Sequence, residues 1–280
     1  MDEFLTSNET TIRLSIFFGV FAVMAAWEAL APRRARSHGR LQRWPSNIAI
    51  VALNSVILRL AIPVAAVEFA GSLHGRGLGL MGLFDLPGWA EFLIAVVILD
   101  LAIYLQHVLF HAAPLLWRLH RMHHQDLDFD VTTGARFHPV EILLSMGIKF
   151  MVIAALGPSA VAVLVFEALL NGMAMFNHAN ARIPLAIDSV LRLFVVTPDM
   201  HRVHHSILPN ETNSNFGFNL SIWDRLFGTY RAQPAAGHDA MIIGIEQFRD
   251  KRELWLDRLL LQPLRGNANS YPINRRQDSG

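Results

Sequence analysis

The chain has 280 residues, of which 52% are hydrophobic and only 17% charged, with a net charge of +1 and a mean hydropathy of +0.33. A soluble domain carries about 45–50% apolar and about 25% charged residues, so this composition excludes a disordered, collagenous or coiled-coil chain and points to a membrane. The absence of cysteine excludes disulfides, iron–sulfur clusters and thiolate-ligated haem, and the near-neutral charge offers no footprint for nucleic acid. Against that background, 13 histidines stand out.

In chain order, three apolar runs come first: Ile12 to Ala31, Ile48 to Ala70 and Phe92 to Ala112. Each is about 20 residues, enough for a helix to cross a bilayer. Glu28, Arg59, Glu68 and Asp100 interrupt them and are expected to face the bundle or an interface. A shorter pair follows, Ile142 to Leu156 and Ala160 to Phe176, divided by Gly157-Pro158-Ser159. This pair reads either as two short crossings or as a re-entrant hairpin. The start, Met1-Asp2-Glu3, lacks the basic segment of a cleaved signal peptide. Arg33, Arg34, Arg36, Arg40 and Arg43 crowd the first loop, whereas Gly71 to Trp89 holds only Arg76. The positive-inside rule then puts the N-terminus outside and the arginine loop in the cytoplasm. By the same alternation, every histidine-rich segment falls on the cytoplasmic face. The fold expected is an all-α integral membrane bundle of four to five transmembrane or re-entrant helices under a cytosolic helical cap. Beyond Asp188 the chain turns polar and irregular, with Ile245 to Leu264 read as one amphipathic helix. Gly77-Leu78-Gly79-Leu80-Met81-Gly82 spells a dinucleotide-like glycine pattern, but it lacks a preceding strand and reads as a turn in the outer loop.

Three histidine clusters carry the chemistry. His107 and His111 lie at i and i+4, and His120/His123/His124 and His201/His204/His205 repeat one His-x-x-His-His spacing. On a helix these offsets project to one side, so each triplet is expected to offer three nitrogens to a common centre. Pro114 and Thr197-Pro198 mark the starts of the short helices that carry them. Many buried imidazoles without a metal would each have to stay neutral and find hydrogen bonds, so these eight are read as metal ligands. His178 joins them as a ninth; His138 is a further ligand or a residue behind one. His38, His74 and His238 are isolated bystanders. Eight or nine nitrogens suit two ions, and imidazole alone does not choose among zinc, copper, iron and nickel. Asp126, Asp128, Asp130, Glu141, Asp199 and Asp224 are expected to orient the rings through their second nitrogens.

These three boxes resemble those of the membrane-bound fatty acid hydroxylase/sterol desaturase superfamily. Asp130-Val131-Thr132-Thr133 with Arg136-Phe137-His138-Pro139, Phe176-Asn177-His178-Ala179-Asn180 and Trp223 to Thr229 also look like family segments, and the resemblance runs from about Ile48 to Pro263. It implies a non-haem centre of two iron ions that uses O2 and two electrons on a lipid C–H bond, hydroxylating or desaturating it. Some members pair the histidine near position 178 with another four residues earlier; here Ala174 stands there, leaving His138 a candidate for a tenth ligand. No haem or flavin signature appears, so a separate ferredoxin, cytochrome or reductase is implied as electron donor. The chain divides into residues 1–47 (first helix and arginine loop), 48–265 (catalytic membrane domain) and 266–280 (polar tail). The expected location is a bacterial inner membrane, with the metal site at the cytoplasmic face. A metal transporter and a zinc-dependent membrane hydrolase are the rival readings, the first disfavoured because the histidines gather at one face instead of lining a path.

Overall fold

The computed structural model describes residues 2–62, 64–268 and 270–274. Positions 275–280 of the expected polar tail lie outside the described residues. The fold is all-helical; among the described residues β-pairing is limited to isolated bridges such as Val195–Leu220.

Among the described residues, five helical segments are long and apolar enough to cross a membrane. Helix α1 (Asp2–Ser7) leads into α2 (Glu9–Leu30), which is followed by α3 (Arg40–Ala61), α4 (Ala66–His74), α5 (Gly88–Ala112), α6 (Pro114–His124), α7 (Pro139–Leu156) and α8 (Ala160–Asn177). At 1.5 Å per residue α5 is about 37 Å long and α7 and α8 about 27 Å each. Helix α8 is the central staff: 44% of its apolar window is buried inside the protein, against 6% for α2. The apolar run Ile48 to Ala70, expected as one span, is instead broken into α3 and α4. Ile62 precedes Pro63 and takes φ −130°, ψ 85°, because the residue before a proline is forced out of helical geometry. Helix α4 then folds back, and Ala66, Val67 and Ala70 pack with Leu99, Ile153 and Phe166.

The charges inside the apolar runs divide by level. Glu28 and Asp100 are buried, whereas Arg59 and Glu68, beside the α3–α4 break, are exposed. At that far end, Gly79 (φ +95°) and Gly157 (φ +67°) touch backbone to backbone; a Cβ on Gly157 would lie 1.8 Å from the Leu78 carbonyl oxygen. The glycine pattern is thus a packed turn closing the bundle away from the histidines.

The other end carries the cap: α9 (Leu185–Leu191), α10 (Pro198–His204), α11 (Pro209–Thr212), α12 (Ile222–Leu226), α13 (Gly237–Ala240) and α14 (Leu256–Leu261). The amphipathic helix expected over Ile245 to Leu264 is replaced by three short turns, Lys251–Leu254, α14 and Gln262–Leu264. Phe248 at φ +59° and extended Trp255 interrupt it. Leu259 still packs on Ile50 and Met122. The arginine loop is consumed in docking the cap. Arg33 pairs with Asp199 and Asp239, Arg34 donates to the His238 and Met241 carbonyls, and Arg40 reaches Glu28. Residues 270–274 also fold in: Tyr271 is buried, stacks on Trp117 at 5.3 Å and donates to the Ile207 carbonyl.

Candidate metal centre

The C-terminal ends of α5, α6, α8 and α10 meet where the bundle joins the cap. Pro114 sits at the first position of α6, while Thr197 caps α10, its hydroxyl accepting the Met200 N–H, with Pro198 next. These starts fix the phase of both triplets.

Nine histidines converge here in two groups, all buried: His107, His111, His120, His124 and His204; and His123, His178, His201 and His205. Within each group the ligand-capable atoms all lie within 4.8 Å of one another. The triplets do not each serve one centre, as their spacing had suggested. In each, the residues at i and i+4 go to one group and the i+3 residue to the other: His120 and His124 against His123, His201 and His205 against His204. The rings of the two triplets meet directly, His124 with His204 at 4.5 Å and His123 with His205 at 4.6 Å between centroids, and they interleave because i+3 and i+4 diverge to opposite sides of position i.

Hydrogen bonds at the outward nitrogens fix the rings. His107 Nδ1 donates to the Phe216 carbonyl at 2.8 Å, His204 Nδ1 to the Ser214 carbonyl at 2.8 Å, and His111 Nδ1 to Asn213 Oδ1 at 3.0 Å. Asn213 Nδ2 is committed to the Tyr271 carbonyl, so its oxygen is the atom that faces His111. His120 Nδ1 donates to Glu141 Oε1 at 2.6 Å. In the second group, His123 Nδ1 donates to the Arg136 carbonyl at 3.2 Å and His178 Nδ1 to that of Ala174 at 2.8 Å.

A neutral imidazole that donates from Nδ1 carries a bare lone pair on Nε2. His123 and His178 both do so, yet their Nε2 atoms lie 3.1 Å apart; His111 and His124 approach as closely. Two lone pairs at that distance repel, and a shared cation converts the repulsion into coordination. The Nε2 atoms of His107, His120 and His204 are likewise buried without a hydrogen-bond partner. Burial, then repulsion between neighbouring rings, holds His123, His124, His201, His204 and His205 well below the ordinary imidazole value, keeping them neutral. The donor set therefore fits metal ions.

His138 stands outside both groups. It is the N-cap of α7, its Nδ1 accepting the Val140 N–H, and its Nε2 lies 3.2 Å from the Leu260 carbonyl oxygen. His38, His74 and His238 also lie outside them. Of the six acids expected to orient the ligand rings, only Glu141 touches one of the nine. Asp126 and Asp130 instead clasp buried Arg43, with Arg43 Nε and Nη2 on the two Asp126 oxygens at 2.6 Å each. Asp128 takes the Ser37 and His38 N–H groups, and Asp199 pairs with Arg33 and Arg202. Asp224 acts at one remove: it accepts the Phe216 and Gly217 N–H groups, fixing the peptide whose carbonyl receives His107.

Sequence reasoning missed the segment Asn213–Phe216, which receives three rings of the five-membered group. Its middle residue, Asn215, adopts φ +53°, which asparagine tolerates better than most residues. Its side chain is held by the Met200 and Arg231 carbonyls and the Arg231 N–H. The asparagine-rich run before Phe216-Gly217 was the available signal. Gly134 was missed too: a Cβ there would lie 2.3 Å from the Ala174 carbonyl oxygen, the acceptor that orients His178.

A model of the fatty acid hydroxylase family matches residues 92–229, the interval that holds all nine rings. An ornithine lipid hydroxylase, OlsE, of Rhizobium tropici is 31% identical over 224 residues, 78% of this chain and 67% of that protein. The chain belongs to the fatty acid hydroxylase family. Human alkylglycerol monooxygenase is 30% identical to this family member over 157 residues, 54% of the chain and 33% of the relative. A Delta(7)-sterol 5(6)-desaturase of Eremothecium gossypii is 30% identical over 181 residues, 61% and 48% of the two chains. The chain thus spans a third to a half of these two relatives. All three bear the names of oxidoreductases, and none is named a transporter or a hydrolase. No solved structure matches the chain.

Proposed function

We propose that this protein is a membrane-bound oxygenase that holds two iron ions and oxidises a C–H bond of a membrane lipid. His107, His111, His120, His124 and His204 would hold one iron, and His123, His178, His201 and His205 the other, with residues 48–265 as the catalytic unit. The observation that carries this reading is the convergence of nine buried imidazoles, six of which have their outward nitrogen tied back to a fixed acceptor. When bound, the iron pair supplies the redox chemistry that activates O2.

The chain's own residues do the rest. The carbonyls of Phe216, Ser214, Arg136 and Ala174, with Asn213 and Glu141, set the tautomer and direction of six of the nine rings. Burial of the rings among Phe110, Trp117, Phe129 and Phe216 excludes water from the centre. In hydroxylation one oxygen atom of O2 enters the C–H bond and the other leaves as water; in desaturation both leave as water and two hydrogens are lost. Either balance takes two electrons from a donor, and a ferredoxin, cytochrome or reductase fits that role. The arginine-rich loop favours the cytoplasmic face of a bacterial inner membrane. Ornithine lipid is the substrate to test first, since the relative aligned over most of this chain is named for it.

The test is elemental analysis of the purified protein, joined to lipid mass spectrometry of cells with and without it. Two irons per chain, with an O2-dependent product carrying one more oxygen or two fewer hydrogens, are expected. Zinc without oxygen uptake would overturn the assignment.

A further inference from the structure

Helix α9 and the residues after it are built inside out. Asp188 and Arg192 are buried against each other as an ion pair, with Arg192 also donating to the Ala232 carbonyl. The outward positions are apolar instead: Leu185, Ile187 and Phe194 are 69%, 52% and 66% exposed. Helix α12 and its end continue the surface with Ile222, Leu226 and Phe227, each more than half exposed. The two stretches form one unit, because Val196 N–H donates to the Asn219 carbonyl and Ser221 N–H to that of Phe194. A patch of this size facing water is unusual for a soluble surface.

The level of the patch identifies its occupant. Asp100 accepts the Trp223 indole N–H at 2.8 Å and the Leu220 N–H at 3.2 Å, and Tyr104 stacks on Phe227 with centroids 5.3 Å apart. Asp100 and Tyr104 lie twelve and eight residues before the end of α5, about 18 and 12 Å along it. A crossing of about 20 residues begun at Gly88 extends past both. The patch therefore runs beside the span and continues its outer surface, where Val97 and Leu105 are exposed.

We propose that Leu185–Phe194 and Ile222–Phe227 form an apron sunk into the lipid leaflet on the histidine side, seating the cap directly on hydrocarbon. The joining segment carries Phe218, whose ring lies 6.3 Å from those of His107 and His178 and 6.2 Å from that of His201. That segment thereby links the apron to the edge of the centre. The insertion stands apart from the iron chemistry: it is tested without turnover and can fail or hold whichever metal is found.

The cysteine-free chain lets single cysteines carry a nitroxide. Ile187→Cys, Phe194→Cys and Leu226→Cys are compared in phosphatidylcholine–phosphatidylglycerol nanodiscs with Met151→Cys, exposed on α7, and Lys251→Cys, exposed on the cap. Collision with O2 at the apron labels should rise, and collision with the water-soluble nickel chelate fall, to the levels of the Met151 label. Nickel access equal to that of the Lys251 label would overturn the proposal. So would spin–spin broadening that disappears on dilution with unlabelled protein, which would assign the patch to a second copy of the chain.

Discussion

The two histidine groups use the same two triplets but are held differently. The five-membered group is backed largely by one segment, Asn213–Phe216, and by the carboxylate of Glu141. The four-membered group rests on main-chain carbonyls of Arg136 and Ala174, and Nδ1 of both His201 and His205 lacks a hydrogen-bond partner. A carboxylate behind a ligand raises its basicity more than a carbonyl does. The difference teaches that the proposed centre is electronically uneven: one position is crowded and charge-backed, the other has fewer ligands and looser rings.

Removing one ring from each group is the severest way to break that comparison. His123→Ala and His204→Ala should both abolish lipid oxidation. Iron analysis should fall further in His123→Ala, which leaves three rings, than in His204→Ala, which leaves four; full activity in either would sink the ligand assignment. A smaller effect separates the backing groups. Glu141→Gln keeps a hydrogen-bond acceptor beside His120 but removes its charge, and should weaken iron retention or turnover about 10–100-fold. Iron release timed against a chelator should then show one fast and one unchanged iron; two equally slow irons would remove the asymmetry. The gentlest probe is pH. The depressed histidines stay neutral in the fold and protonate near pH 6.5 once unfolded, so the metal-free protein loses stability as pH falls below that value. Each costs about 0.4 kcal/mol at pH 6.5 and approaches about 1.4 kcal/mol per pH unit lower down. Thermal melts of the metal-free protein should follow that slope, and iron should flatten it.

The arginine loop shows how one sequence feature can carry two meanings. Its charge suggested an orientation, yet Arg33, Arg34 and Arg40 are bonded to the cap and to Glu28. Arg43 is wholly buried between Asp126 and Asp130. Removing a partner from such a pair leaves an uncompensated charge, so these residues are structural whichever face they occupy.

The sequence by itself determined the parts whose signal is local. Apolar length marked most of the helices long enough to cross a membrane, a proline marked the start of each helix that carries a triplet, and repeated spacing marked the histidines that gather. It read the apron as merely polar and irregular, because Asp188 and Arg192 hide their charges inward and only the fold reveals the apolar face left outside. Only tertiary structure divided the triplets between two groups, chose Glu141 from six acids and turned His138 into a helix cap. Those choices depend on how two short helices and a distant loop meet, and residues a hundred positions apart, such as His107 and Phe216, leave no spacing in the chain that announces their contact.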